Sequence, residues 1–120
     1  MNEMTYNADT VFTALSHPMR LRTLVLIKQM NELCVCELTH TLGLAQPVIS
    51  RHLALLKEAK LVTSRRQGIW IYYSVNSELP DWIHKLINIT TDGIAKTSPY
   101  QDDLASLNAM TDRPNNNCCN

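Results

Sequence analysis

The stretch LTHTLGLAQPVISRHLALL, residues 38–56, decides the fold. Two leucines four residues apart precede Gly43, which predicts a short helix that ends at a glycine in the left-handed conformation. Pro47 suits the first position of a second helix, because its missing N–H has no partner there in any case. The apolar stripe that this second helix would turn inward consists of Ile49, Leu53 and Leu56. The stretch therefore predicts a short helix, a tight turn and a longer helix.

The outward side of the longer helix is polar or small. At 100° per residue, this arc holds Gln46, Pro47, Ser50, Arg51 and Ala54. In a helix-turn-helix unit the second helix lies in the major groove, so we predict DNA contacts from Gln46, Ser50 and Arg51. His52 falls on the flank of the apolar stripe. We rank His52 below Arg51 as a DNA contact. It could contact a phosphate, or it could only pack between helices.

A basic hairpin is predicted directly after this unit. Beyond Lys60 the apolar residues alternate with a period of two, and residues 65–68 form a basic tip that contains Arg65 and Arg66. Both arginines are predicted to reach phosphates or a narrow minor groove. The whole chain has 11 basic and 11 acidic residues, yet residues 45–68 hold five basic and one acidic, a local charge of 5 − 1 = +4. An ordinary charged surface is the alternative, which the order of elements disfavours.

The flanking segments complete one domain. Apolar spacing in residues 9–30 predicts two helices, the second of which starts at Pro18, and Pro80 with Asp81 opens a last amphipathic helix. Beyond about Thr97 the periodicity is lost. At 120 residues the chain is too short for two ordinary domains. We therefore predict a mainly α fold with a β-hairpin wing (α+β), a winged helix-turn-helix, over residues 1–96, and a flexible tail over residues 97–120.

Composition excludes several classes of protein. No apolar run reaches the roughly 18 residues of a membrane helix, and the first 15 residues lack a secretory pattern, so we expect a cytoplasmic protein that does not contact membranes and has reduced thiols. There is no glycine-rich phosphate loop, no thioredoxin-like Cys-x-x-Cys and no nucleophile with an acid/base partner. We therefore expect neither an enzyme nor a cofactor.

Three motifs in order resemble the ArsR/SmtB metalloregulatory repressors. They are HPMRLR at residues 17–22, ELCVCEL at residues 32–38 and QPVISRHL at residues 46–53. The resemblance covers roughly residues 8–90. It implies a homodimeric repressor that binds an inverted repeat in operator DNA and dimerises through its first and last helices. The apolar faces near Phe12 and at residues 82–87 fit that interface, although packing within one chain would also explain them.

Cys34 and Cys36 lie at the entrance to the short helix. Thiolates suit soft ions, and two of them without a nearby histidine do not make a structural zinc site. The motif resembles the arsenic-responsive branch, which implies trivalent arsenic or antimony as inducer in a site of three thiolates. Residues i and i+2 lie about 200° apart around a helix but on the same side of an extended strand, so both sulfurs can reach one ion only where the backbone is not helical. We therefore predict that ligand binding opposes the helix and releases DNA.

The third ligand is open, because Thr39 stands where that branch has a further cysteine. Cys118 or Cys119, from the same chain or from the partner, could supply it, and the two could equally be bystanders or a second soft-ion site. A thiol redox switch, or a response to cadmium or another soft metal, is the alternative signal. Cadmium sensors of the family add cysteines from the N-terminal arm, which residues 1–33 lack. The Asp-x-His spacing of its zinc sensors is also missing.

Overall fold

A computed structural model describes residues 6–110, which form six helices, three strands and one apolar core. The helices are α1 (Ala8–Leu15), α2 (Pro18–Met30), α3 (Val35–Leu42), α4 (Gln46–Glu58), α5 (Asp81–Ile94) and α6 (Tyr100–Asn108). The strands are β1 (Leu33–Cys34), β2 (Val62–Gln67) and β3 (Trp70–Val75).

The two helices predicted from residues 9–30 are confirmed as α1 and α2. Pro18 is the first residue of α2, where its ring supplies the required backbone angle. His17 caps this end, because its Nδ1 accepts a hydrogen bond from the backbone N–H of Met19 at 3.1 Å. Residues 24–27 of α2 are all buried, which makes α2 the central helix of the core.

The helix-turn-helix prediction is confirmed by α3 and α4. Gly43 ends α3 with φ 68° and ψ 28°, the left-handed conformation that only glycine adopts without steric cost. Apart from its chain neighbours, no atom of residues 6–110 lies within 4 Å of where a Cβ would stand, so the backbone angle alone requires glycine. The predicted inward stripe of α4 is fully buried and consists of Ile49, Leu53 and Leu56.

The predicted hairpin is also confirmed, and the structure adds a third strand. β2 and β3 pair from Val62 with Val75 to Gln67 with Trp70, and Gly68 at φ 64° sits in the two-residue turn. β1 pairs with the other edge of β3, so the strand order is β1-β3-β2. Two residues are too few to show alternation, and for this reason the sequence did not predict β1. The wing is thus hydrogen-bonded to the segment that contains Cys34.

The wing is fixed to the end of α4 by a short network around Lys60. This residue has φ 64°, and its carbonyl accepts hydrogen bonds from the Tyr6 hydroxyl and the Asn76 side-chain amide, both at 3.0 Å. Lys57 on α4 donates to the Ser64 hydroxyl of β2 at 2.8 Å. The direction in which the wing leaves the recognition helix is therefore set by side chains from three parts of the chain.

The prediction of a flexible tail from residue 97 is wrong for the part that the structure describes. α5 begins after Pro80 as predicted, but α6 follows it and packs against α2 and α3. Leu107 is fully buried in the core, and Asp103 is buried against Arg22 of α2. The domain therefore extends at least through α6. Residues 111–120, with Cys118 and Cys119, lie outside the described residues.

Together these elements form a winged helix-turn-helix in which α3 and α4 are the paired helices and the hairpin of β2 and β3 is the wing. Among residues 6–110, no helix has the length and apolar character needed to cross a bilayer.

Candidate thiol site and nucleic-acid interface

The two cysteine sulfurs meet at the point where β1 becomes α3. Their Sγ atoms are 3.0 Å apart, well beyond the about 2.05 Å of a disulfide bond, so the two are in contact without being bonded to each other. Cys34 is the last residue of β1 and precedes the first helical residue, Val35. Cys36 is the second residue of α3. The two sulfurs are therefore close enough to share one ion.

The prediction that a shared ligand opposes the helix held that both sulfurs reach one ion only where the backbone is not helical. Cys34 meets this condition without a ligand. Its φ of −93° and ψ of 167° are extended and turn its sulfur towards that of Cys36. The helix starts directly after the extended residue, so α3 is intact while the sulfurs converge.

Cys34 also caps α3. Its sulfur accepts a hydrogen bond from the backbone N–H of Glu37, and the Glu37 carboxylate accepts one from the backbone N–H of Cys34 at 2.9 Å. Burial raises the pKa of the Cys34 thiol to about 11, and the nearby Glu37 carboxylate acts in the same direction. The ligand-free thiol is therefore protonated at neutral pH, and a metal or metalloid has to displace that proton.

A cavity of about 410 Å³ opens beside the two sulfurs. It is bounded by the first turn of α3, by the first residue of α4 and by the wing. Its lining residues are Cys34, Val35, Cys36, Thr39, Gln46, Ile69, Trp70 and Ile71. The thiol site and two elements predicted to contact DNA thus share one space.

No third ligand joins the two thiols among residues 6–110, where no group of three His, Cys, Asp or Glu residues could hold a metal ion. Thr39 lines the cavity, and its hydroxyl donates to the carbonyl of Cys36 at 2.9 Å. The predicted third ligands, Cys118 and Cys119, lie outside the described residues.

The outward arc predicted for α4 is exposed. Gln46 and Arg51 are both accessible to solvent, as is Ser50 between them. Gln46 is the first residue of the helix and Arg51 lies five residues later, so the two side chains bound an exposed arc of about 140°. A helix surface of this kind can enter a major groove, where Gln pairs with adenine and Arg with guanine or phosphate.

His52 is placed differently from the other predicted DNA contacts. Its side chain is only 8% exposed, and its ring lies 4.5 Å from that of His17, centroid to centroid. Its Nδ1 is 3.4 Å from a guanidinium nitrogen of Arg20. Burial lowers the pKa of His52, and the positive charges of His17, Arg20 and Arg51 lower it further. These contacts favour the helix-packing role that the sequence also allowed, while the DNA contact of His52 stays a prediction.

The two arginines of the wing have different surroundings. Arg66 is exposed, and its Nε donates to the carbonyl of Gly68 at 3.1 Å, which leaves the terminal nitrogens facing solvent. Arg65 instead donates through Nε and Nη2 to the carboxylate of Glu32, at 2.5 and 2.7 Å. Its Nη1 donates to the side chain of Gln67 at 2.7 Å. Arg66 fits the predicted phosphate role, whereas all three nitrogens of Arg65 already have protein partners.

Sequence reasoning missed Glu32 and Tyr72 as parts of this site. The carboxyl of Glu32 has its pKa lowered mainly by its hydrogen bonds with Arg65, and the guanidinium of Arg65 lies 4.6 Å from the ring centroid of Tyr72. Glu32 is 33 residues from Arg65 in the chain, and no local spacing reveals such a pair. The available signal was the adjacency of Glu32 to the cysteine motif, which placed it within reach of whichever strand pairs there.

Comparison with known proteins gives a family for this fold and site. The family model described as "Bacterial regulatory protein, arsR family" matches residues 17–64. The arsenic resistance transcriptional regulator ArsR2 of Pseudomonas putida is 42% identical over 111 residues, which cover 91% of this chain and 95% of that protein. The arsenical resistance operon repressor of Escherichia coli is 42% identical over 78 residues, 65% of this chain and 67% of that one.

Solved structures agree with the fold. The structure of reduced HlyU from Vibrio cholerae superimposes with a TM-score of 0.66 at 28% sequence identity and covers 74% of this chain and 90% of its own. The transcriptional repressor BigR from Xylella fastidiosa has a TM-score of 0.59 at 29% identity over 74% of this chain and 87% of its own.

Proposed function

Because the chain belongs to the arsR family of bacterial regulatory proteins, which are DNA-binding transcription regulators and not enzymes, we propose that it represses transcription and releases its operator when trivalent arsenic or antimony binds Cys34 and Cys36. The observation that carries this proposal is the 3.0 Å distance between the two sulfurs at the entrance to the helix-turn-helix. The proposed location is the cytoplasm, where a repressor meets operator DNA.

The chemistry of the ligand fits the sulfurs of a buried Cys34 and a partly buried Cys36. Trivalent arsenic in water is a neutral hydroxide, As(OH)₃, and each thiol that binds it forms one As–S bond while its proton leaves with one hydroxide as water. Two protein thiols thus replace two hydroxides, and a third thiol replaces the last. Soft thiolate sulfur favours such ions over hard cations. The high pKa of Cys34 suits a ligand that brings its own proton acceptor.

Cys118 and Cys119 remain the proposed source of the third sulfur. α6 packs against α3, the helix that begins at the thiol site, and Cys118 comes ten residues after the end of α6 at Asn108. Ten extended residues span up to about 33 Å, comparable to the size of the domain. This reach supports a tail thiol as the ligand, from the same chain or from a dimer partner.

Dimerisation is proposed through an exposed apolar face on α1 and α5. Phe12 is 53% exposed, Trp82 is 44% exposed and Ile89 is 71% exposed. These side chains border one open groove together with Leu86. Exposed apolar surface of this kind is typical of a protein–protein interface. A second copy of the chain on this face would give a two-fold dimer, whose recognition helices would read an inverted repeat with half-sites about 34 Å apart.

A thiol redox switch is the second candidate, and the 3.0 Å contact between the sulfurs also favours it. Oxidation would join cysteines that are already close, and the solved HlyU structure is described as reduced. Both candidates keep the DNA-binding role and differ only in the signal. Another soft metal, such as cadmium, would act at the same thiols.

The test is binding of the phosphine-reduced protein to a fluorescent operator fragment at fixed salt, with arsenite, antimonite, cadmium, zinc or peroxide added in turn. The variants Cys34→Ser and Cys36→Ser should bind operator and ignore arsenite. Serine is a favoured N-cap residue, so Cys34→Ser keeps the start of α3 intact. Release by peroxide or cadmium with no response to arsenite would overturn the arsenic assignment.

The double variant Cys118→Ser, Cys119→Ser decides the third ligand in the same assay. We expect it to weaken the arsenite response and leave operator affinity unchanged. A response equal to that of the wild type would remove the tail thiols from the mechanism.

A further inference from the structure

Three side chains form a row across the sheet and join the thiol site to the wing. Cys34 on β1 stands opposite Tyr72 on β3, and Tyr72 stands opposite Arg65 on β2. Directly opposed residues of antiparallel strands place their side chains on the same face. The guanidinium of Arg65 accordingly lies over the ring of Tyr72, at 4.6 Å. The proposed sensor thiol and a wing arginine are thus only two strand spacings apart, about 10 Å.

Glu32 connects the segment that contains Cys34 directly to Arg65 on β2. It precedes Cys34 by two residues, and its carboxylate accepts both the Nε and the Nη2 hydrogen bonds of Arg65. Two parallel bonds between a guanidinium and a carboxylate fix orientation as well as distance. Any movement of β1 that accompanies a change at Cys34 therefore changes the geometry of this ion pair.

The charge of Glu32 argues against a role in attracting DNA. A carboxylate on a surface that faces phosphates repels them, and here it also neutralises one of the two wing arginines. Within residues 6–110, the neighbouring Arg66 donates a hydrogen bond only to the turn carbonyl of Gly68. The Glu32–Arg65 pair does join β2 to the residue directly before β1.

We propose that Glu32 and Arg65 are positioning residues which hold the wing in its operator-binding orientation, and that a ligand at Cys34 and Cys36 releases operator by breaking this pair. The inference rests on the proposed function and adds the route from the thiol site to the DNA surface. In this route both sulfurs bind from the positions they already hold, and completing the ligand shell with a third donor shifts β1 along β3. The Glu32 carboxylate then leaves Arg65, and the wing loses its support. The Glu32–Arg65 ion pair, either formed or broken, is the two-state element, and both the thiol site and the DNA surface shift the balance between its two states.

The test compares Glu32→Gln, Arg65→Gln and their double variant with Arg66→Gln as the matched control. Operator dissociation constants are measured at fixed salt with and without arsenite, and circular dichroism verifies that each variant is folded. The ratio of the two constants is the release ratio, typically about 5- to 150-fold for an allosteric protein.

We expect Glu32→Gln to weaken ligand-free operator binding and to bring the release ratio towards unity. Arg65→Gln should lower the release ratio as much, and the double variant should lower it no further. Arg66→Gln should weaken binding with and without arsenite alike and leave the ratio unchanged.

Glu32→Gln distinguishes a positioning role from simple electrostatics, because the two predict opposite changes in operator affinity. If Arg65 acts only on phosphate, removing the Glu32 carboxylate should strengthen operator binding and leave the release ratio at its wild-type value. That result would overturn the link while the proposed sensing function stands. A wild-type protein that binds operator and is not released by arsenite would instead overturn the sensing function, and with it the role of the link in release.

Discussion

Arg22 and Asp103 join α2 to α6 through two hydrogen bonds, 2.8 Å from Nε to Oδ2 and 2.6 Å from Nη2 to Oδ1. The Asp103 side chain is 4% exposed, so this pair is largely removed from water. The pair also raises the pKa of Arg22, mainly through the hydrogen bond to Asp103. It connects parts of the chain 81 residues apart. The C-terminal helix is therefore held to the helix at the centre of the core by a directional contact as well as by apolar packing.

Replacing Asp103 with Asn should lower the free energy of unfolding by roughly 1–3 kcal/mol, since it leaves a half-buried guanidinium without its charged partner. Urea denaturation measures this change. Asp102→Asn is the control, because Asp102 lies on the same turn and is exposed. An equal effect in both variants would show that the ion pair itself contributes nothing.

Stability should fall as the pH is lowered from about 7 to 5, because His52 is buried next to positive charges. Its folded-state pKa lies below the ordinary value of 6.5, so in this range the unfolded chain binds more protons than the folded one. Thermal unfolding across this range measures the slope. His52→Gln should flatten the profile, whereas His84→Gln, at an exposed position on α5, should not. An unchanged slope in His52→Gln would assign the pH dependence to other groups.

Arg51→Gln and Arg66→Gln should each weaken operator binding and lower the slope of log K against log salt by about one. Each removes one exposed cation from the predicted DNA surface. Fluorescence anisotropy over a series of salt concentrations measures the slope. Lys96→Gln, exposed beyond the end of α5, provides the comparison and should leave the slope at its wild-type value. A slope that no substitution changes would place the phosphate contacts elsewhere.

Ile89→Glu should shift the protein from dimer to monomer, because it puts a charge into the proposed interface on α1 and α5. Ile69→Glu on the wing is matched to it, since Ile69 is 75% exposed and Ile89 is 71% exposed. Sedimentation velocity on both variants gives the assembly state. If Ile89→Glu remains a dimer, or if both variants dissociate, the apolar face on α5 is not the contact between protomers.

Local signals were sufficient to predict most of the fold. Pro18, Gly43 and Pro80 each mark a helix end that the structure confirms. The stripe of α4 and the alternation of the wing follow from periodicities of about 3.6 and 2 residues. Each of these signals lies within a single element, so a sequence read alone contains it.

Features that depend on contacts between distant segments could not be predicted in the same way. α6 was missed because its apolar residues, Leu104 and Leu107, are few and stand beside acidic residues whose partner is on α2. The sequence indicated that Cys34 and Cys36 converge where the backbone is extended, but not that Cys34 is extended, because β1 exists only by pairing with β3. The true environment of Arg65 and the burial of His52 likewise depend on which elements meet in space.

The burial of Leu107 has a consequence for how a cell makes this protein. Its side chain belongs to the core that α2 and α3 share, so the ribosome has to deliver the chain as far as α6 before that core can close. The recognition helix will already have been synthesised by then, but its supporting helices will still lack part of their packing. Nascent chains that stop short of α6 should therefore leave apolar surface of α2 and α3 open to chaperones and proteases, and operator binding should begin only after that helix has docked.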